Sequence, residues 1–135
     1  MSTIQIQAQG LIKSFGEFKA VNEVNLTLHQ GECFGLLGPN GAGKSTFISM
    51  TYGSVLRSGG DLKVFGYDPQ THSREIKKRL GVVTQDNALD EGLTVIENMM
   101  IYAAFLGVPK ADRKKQVEKL LEYMNIAHKK DSLIQ

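Results

Sequence analysis

Nine consecutive residues, Gly38 to Thr46, read GPNGAGKST and carry the chain's clearest chemistry. They fit the spacing G-x-x-x-x-G-K-[ST], with Gly38, Gly43, Lys44 and Ser45 at the fixed positions. Glycines let backbone N–H groups turn inward around phosphate oxygens. A helix starting at the lysine adds unpaired N–H groups and a positive partial charge at the same place. In that arrangement Lys44 reaches β- and γ-phosphates as a point charge, and the Ser45 hydroxyl ligates Mg²⁺. Thr46 and the backbone of Gly41 to Ser45 complete the cradle, in a nucleotide-binding stretch that also takes in Pro39, Asn40, Ala42 and Gly43. A lysine in a helix's first turn is otherwise unfavourable, and a bound anion offsets that cost.

Such a loop needs a strand before it and a helix after it. Cys33 to Leu37 is a short apolar run after the turn signal Gln30-Gly31-Glu32, and reads as a strand buried on both faces. Cys33, the only cysteine, is then a core residue and has no internal disulfide partner. Lys44 to Tyr52 lacks Pro and internal Gly and reads as a helix. Upstream, Ile4, Ile6 and Ala8, then Val24, Leu26 and Leu28, alternate with polar residues, predicting two strands that pair antiparallel. Further strands are expected over Asp61 to Phe65 and Leu80 to Thr84, with a short helix over Thr71 to Arg79 between them.

Thr94 and Glu97 form a capping box that opens a helix running to about Leu106, stopped by Gly107 and Pro109. The last helix starts near Pro109 or Lys110. Its Val117, Leu120, Leu121 and Met124 recur at i, i+3, i+4, i+7, a one-sided stripe that needs a partner surface.

The 135 residues suit one domain, and at 41% apolar they can bury a core. A formal net charge of +2 gives no argument for nucleic acid or anionic lipid. Basic residues between Lys110 and Lys130 are interspersed with acids and read as a solvated helix face. The N-terminus lacks the regions of a signal peptide, and the longest apolar run, Met99 to Val108, is too short to cross a bilayer. A cytoplasmic location is expected. His29, His72 and His128 are scattered, which argues against a structural metal site.

With these landmarks in order, the stretch GECFGLLGPNGAGKST resembles the nucleotide-binding domain of ABC-family ATPases, and in particular the ATP-binding subunits of membrane exporters. The resemblance extends to Lys13-Ser14-Phe15-Gly16, where the family places an aromatic residue, so Phe15 would stack on adenine, with Val21 beside it. It extends also to Val82 to Asp86, which is similar to the family's Q-loop, giving Gln85 a contact with Mg²⁺ or the attacking water. The segment from Gln85 to Leu106 would then meet a transmembrane transporter subunit, and a second ATP-binding domain would complete the parent assembly. The implied fold is α/β: a P-loop NTPase core with an antiparallel β edge and the start of a helical subdomain. Residues 1–92 would be the nucleotide-binding core and residues 93–135 the start of that subdomain.

The family's LSGGQ-type signature, its strand ending in Asp-Glu and its switch histidine do not occur in these residues, so the resemblance covers the part before the signature. Ser58-Gly59-Gly60-Asp61 lies on the wrong side of Gln85 and reads as a turn. The expected function is ATP binding within a transport ATPase at the inner face of the cell membrane, with ATP and Mg²⁺ as ligands. A non-catalytic nucleotide-binding fragment and a soluble ABC-family ATPase are the alternatives. A GTPase would need an Asn-Lys-x-Asp guanine reader, and none occurs. Catalysis would rest on Lys44 and Gln85, with no base identifiable. Central strands missing beside the P-loop strand would leave an apolar sheet edge, a hazard for self-association.

Overall fold

The computed structural model describes residues 3–83 and 89–134. The chain divides into two compact units, Met1–Gly81 and Val82–Gln135.

In the first unit, β1 (Ile4–Phe15) and β2 (Phe18–His29) form the antiparallel pair that the alternating residues predict, longer than expected at 12 residues each. The hairpin turns at Gly16-Glu17, with Phe15 opposite Phe18. β3 (Gly59–Val64) adds antiparallel to the other side of β1, giving the order β2-β1-β3. A register shift between Ala8 and Leu11 puts both on the buried side, although strict alternation would separate them. Asn25 Oδ1 accepts the Gly10 N–H there at 2.8 Å.

Helix α1 (Lys44–Thr51) packs Phe47 and Met50 against Ala8, Leu11, Val21 and Leu62, the core of this unit. Helix α2 (Pro69–Lys77) has Asp68 as its cap, accepting the Gln70 N–H at 2.9 Å, and Pro at its first position. The Arg57 guanidinium grips the same carboxylate through two bonds of 2.7 Å, and tethers the turn before β3 to α2. Val64 and Ile76 are fully buried.

Two expectations fail here. Residues 33–37 and 80–83 form no strand, and Thr84 lies outside the described residues. A parallel strand exists only through its neighbours, and the described sheet offers none beside either segment. Leu37 is therefore 93% exposed, and Cys33 is exposed rather than a core residue.

In the second unit, the capping box forms as the sequence predicts and opens α3 (Val95–Phe105). Glu97 N–H donates to Thr94 Oγ1 at 3.3 Å, and Thr94 N–H donates to Glu97 Oε2 at 2.9 Å. The carbonyls of Ser132 and Lys130 accept the next free N–H groups, those of Val95 and Ile96. Buried Asn98 accepts from the Asp90 N–H and donates to the Asp90 and Thr94 carbonyls, which fixes the approach to the helix.

Helix α4 (Lys110–Tyr123) buries Val117 and Leu121 with Ala103 of α3. The anticipated stripe is thus split. Leu120 and Met124 stay exposed, while Val117 and Leu121 are covered.

Candidate functional site

The helix begins at Lys44, as the loop's spacing requires, and its cap is Gly43 at φ 81°. That left-handed conformation is strained for any residue with a Cβ. A Cβ on Gly43 would also run into the Ala20 carbonyl oxygen and press on the Val21 side chain. The start of β2 and the glycine loop are thus packed backbone to backbone. Gly41 shares the left-handed conformation at φ 82°. The Ala42 N–H donates to the Pro39 carbonyl at 3.2 Å and the Phe47 N–H to the Gly43 carbonyl at 2.8 Å, closing the loop onto the helix.

Lys44 folds back across this loop. Its Nζ donates to the Gly38 carbonyl at 2.6 Å and the Pro39 carbonyl at 2.7 Å. An ammonium has three donors, so one remains for another acceptor. The α1 N-terminus has no side-chain cap and no acid in its first turn. Its leading N–H groups have no partner within the helix. Ser45, the second residue of α1, is exposed at the same end. These donors, concentrated where no carboxylate intrudes, fit a polyphosphate and its Mg²⁺.

Beside the loop lies a cleft of about 340 Å³, lined among others by Ala20, Val21, Leu37, Gly43, Lys44 and Phe47. Val21 faces it from the core, at 5% exposure. Phe15 stands outside this cleft at the end of the hairpin, with 52% of its surface exposed and the Lys13 ammonium 4.6 Å from its ring centroid. Phe15 and Val21 are joined through the ladder, since Lys13 pairs with Val21 two residues before Phe15. Gln85 lies outside the described residues.

Two contacts were not drawn from the sequence, although Lys13 is named there in the Lys13-Ser14-Phe15-Gly16 match. The Ala20 carbonyl under Gly43 has no sequence signature, because backbone contacts carry none. Lys13 had one, its two-residue spacing from Phe15 on a strand, which puts both on one side.

A family model described as ABC transporter matches residues 21–135. The chain belongs to the ABC transporter family. It is 39% identical over 134 residues to the Nod factor export ATP-binding protein I of Rhizobium sp. (strain N33), covering 99% of this chain and 44% of that protein. It is 38% identical over 124 residues to the linearmycin resistance ATP-binding protein LnrL of Bacillus subtilis (strain 168), covering 92% of this chain and 40% of that one. Among solved structures, cbiO1 from Clostridium perfringens, described as part of the ABC transporter complex cbiONQ, superposes with a TM-score of 0.83 at 24% identity, over 97% of this chain and 54% of that one. An ATP binding subunit of an ABC transporter gives a TM-score of 0.80 at 22% identity.

The chain spans less than half the length of these curated relatives. The fold is that of the ABC ATPase subunits: an α/β P-loop core with an antiparallel β edge and the start of a helical subdomain. Membership of this family implies nucleotide binding. No helix among the described residues is long and apolar enough to cross a membrane.

Proposed function

We propose that this ABC family chain binds Mg-ATP as the nucleotide-binding part of an ATPase that couples hydrolysis to membrane transport. The observation that carries the reading is the Gly38–Thr46 loop, with Lys44 folded across it toward an uncapped helix end. In this reading the backbone of Gly38 to Gly43 surrounds the phosphates, Lys44 exchanges its carbonyl partners for phosphate oxygens, and Ser45 holds Mg²⁺ with help from Gln85. Thr46 adds a donor at the α-phosphate side, Phe15 stacks on the base and Val21 supports it. Mg²⁺ held there would supply positive charge to the phosphate oxygens.

Among the described residues, the lining of the cleft includes no carboxylate. For residues 1–135 alone, therefore, binding with little or no turnover is the reading that the chemistry favours, since hydrolysis needs a base for the attacking water. Residues 1–92 act in this proposal as the nucleotide-binding core and 93–135 as the start of a helical subdomain. The region Gln85–Leu106 meets a transmembrane subunit at the cytoplasmic face of the membrane, and a second ATP-binding domain joins in the full assembly. Exposed apolar side chains on α3, Ile101 and Phe105 among them, support such a contact. The exporter names of the relatives support an export system over an importer.

Calorimetric titration with Mg-ATP, with Lys44→Ala as the comparison, tests the binding. Losing a charge-assisted contact to phosphate is expected to weaken affinity by about thirty-fold. Equal affinity of the two proteins, or no binding by the unmodified chain, would overturn the reading.

A further inference from the structure

We propose that Lys13 is a positioning residue for the nucleotide base, acting through Phe15. This rests on the reading that Phe15 stacks on the base. The two residues lie two apart on β1, on one side of the strand, and the Lys13 ammonium sits 4.6 Å from the ring centroid. Lys13 is half-buried, and its ammonium makes no ion pair or hydrogen bond among the described residues. The electron-rich face of the ring is the partner that the ammonium does have.

One face of Phe15 is thereby occupied, yet the side chain remains 52% exposed. The contact leaves a ring that is held from behind and open in front. Phe15 is the last residue of β1, next to Gly16 at φ 59°, so the strand alone does little to fix its rotamer. The ladder carries the arrangement to the phosphate loop. Lys13 pairs with Val21, and the carbonyl of the adjoining Ala20 lies against Gly43. A base stacked on the open face would form the outer layer of a cation–ring–base stack, with the ring polarised by the ammonium and kept from collapsing onto the hairpin.

The test compares affinity for Mg-ATP with affinity for inorganic triphosphate, which has no base, at fixed ionic strength. Lys13→Met keeps most of the aliphatic stem and removes the charge. It is expected to weaken Mg-ATP binding by about threefold, the scale of an exposed cation–ring contact, and to leave triphosphate binding unchanged. Lys13→Arg restores the ATP affinity, since a guanidinium stacks on the same face. In a Phe15→Leu background Lys13→Met has no further effect. Equal weakening of both ligands would make Lys13 a general phosphate attractor and overturn the proposal. So would an effect that persists without the Phe15 ring, or no effect at all. Equal affinity of the unmodified chain for Mg-ATP and triphosphate would instead remove the base-stacking reading itself, and this role with it.

Discussion

Gly43 shows how one residue can serve two demands at once. It has the left-handed backbone that starts α1, and it leaves room for the Ala20 carbonyl. Gly43→Ala meets both penalties, the strained φ and the collision with backbone, and is expected to cost about 2 kcal/mol of stability. Urea unfolding followed by circular dichroism measures it, and a midpoint equal to that of the unmodified chain would contradict the packing described. The glycine itself was legible, because the loop's spacing names it. Its neighbour at Ala20 was not, since any residue's carbonyl could occupy that place. Lys44, similarly, was legible as a phosphate contact, but its resting partners, the carbonyls of Gly38 and Pro39, belong to the folded loop.

At the scale of elements, local signals translated directly. The Thr94–Glu97 box opens α3, and Asp68-Pro69 opens α2, two residues earlier than the polar composition alone suggested. Asp68 also answers to acid. Its hydrogen bonds from Arg57 hold the carboxyl below the usual aspartate range, burial works against them, and the Gln70 N–H adds to the lowering. The native state then binds this proton more weakly than the unfolded chain does. Stability from the pair is present above the ordinary aspartate value near about 4, and is lost as pH falls through the lower native value. Asp68→Asn is accordingly expected to cost about 2 kcal/mol at pH 7, with the gap closing in acid. Thermal melts at neutral and acidic pH test this, and a gap that stays constant would assign the loss to packing. The stripe on α4 was less legible. Periodicity located it, but how much of it α3 covers depends on the shape of α3, which no pattern on α4 contains.

For the whole molecule, the apolar segments that form no strand matter most. Leu37 is 93% exposed, and Phe34, Val82 and Val83 are exposed as well. Apolar backbone without ladder partners is a template for pairing with another chain. The 135-residue chain is expected to self-associate as its concentration rises, and Leu37→Asp to shift it toward the monomer. Light scattering across a dilution series reads both. A monodisperse monomer at every concentration would remove the expectation.

The sequence by itself determined whatever is encoded within a few residues. That includes the phosphate loop, the helix starts at Lys44 and Thr94, the alternation of β1 and β2, and membership of a family whose loop has this spacing. Those features follow from backbone geometry and from hydrogen bonds between near neighbours, which the residue types specify directly. Only the tertiary structure decided which segments pair and which side chains are covered. Cys33 to Leu37 has a strand's composition and no strand's bonds, because ladder partners come from elsewhere in a fold. The register shift that buries Leu11, the carbonyl beneath Gly43 and the ammonium over Phe15 likewise arise where distant backbone or a folded strand brings groups together.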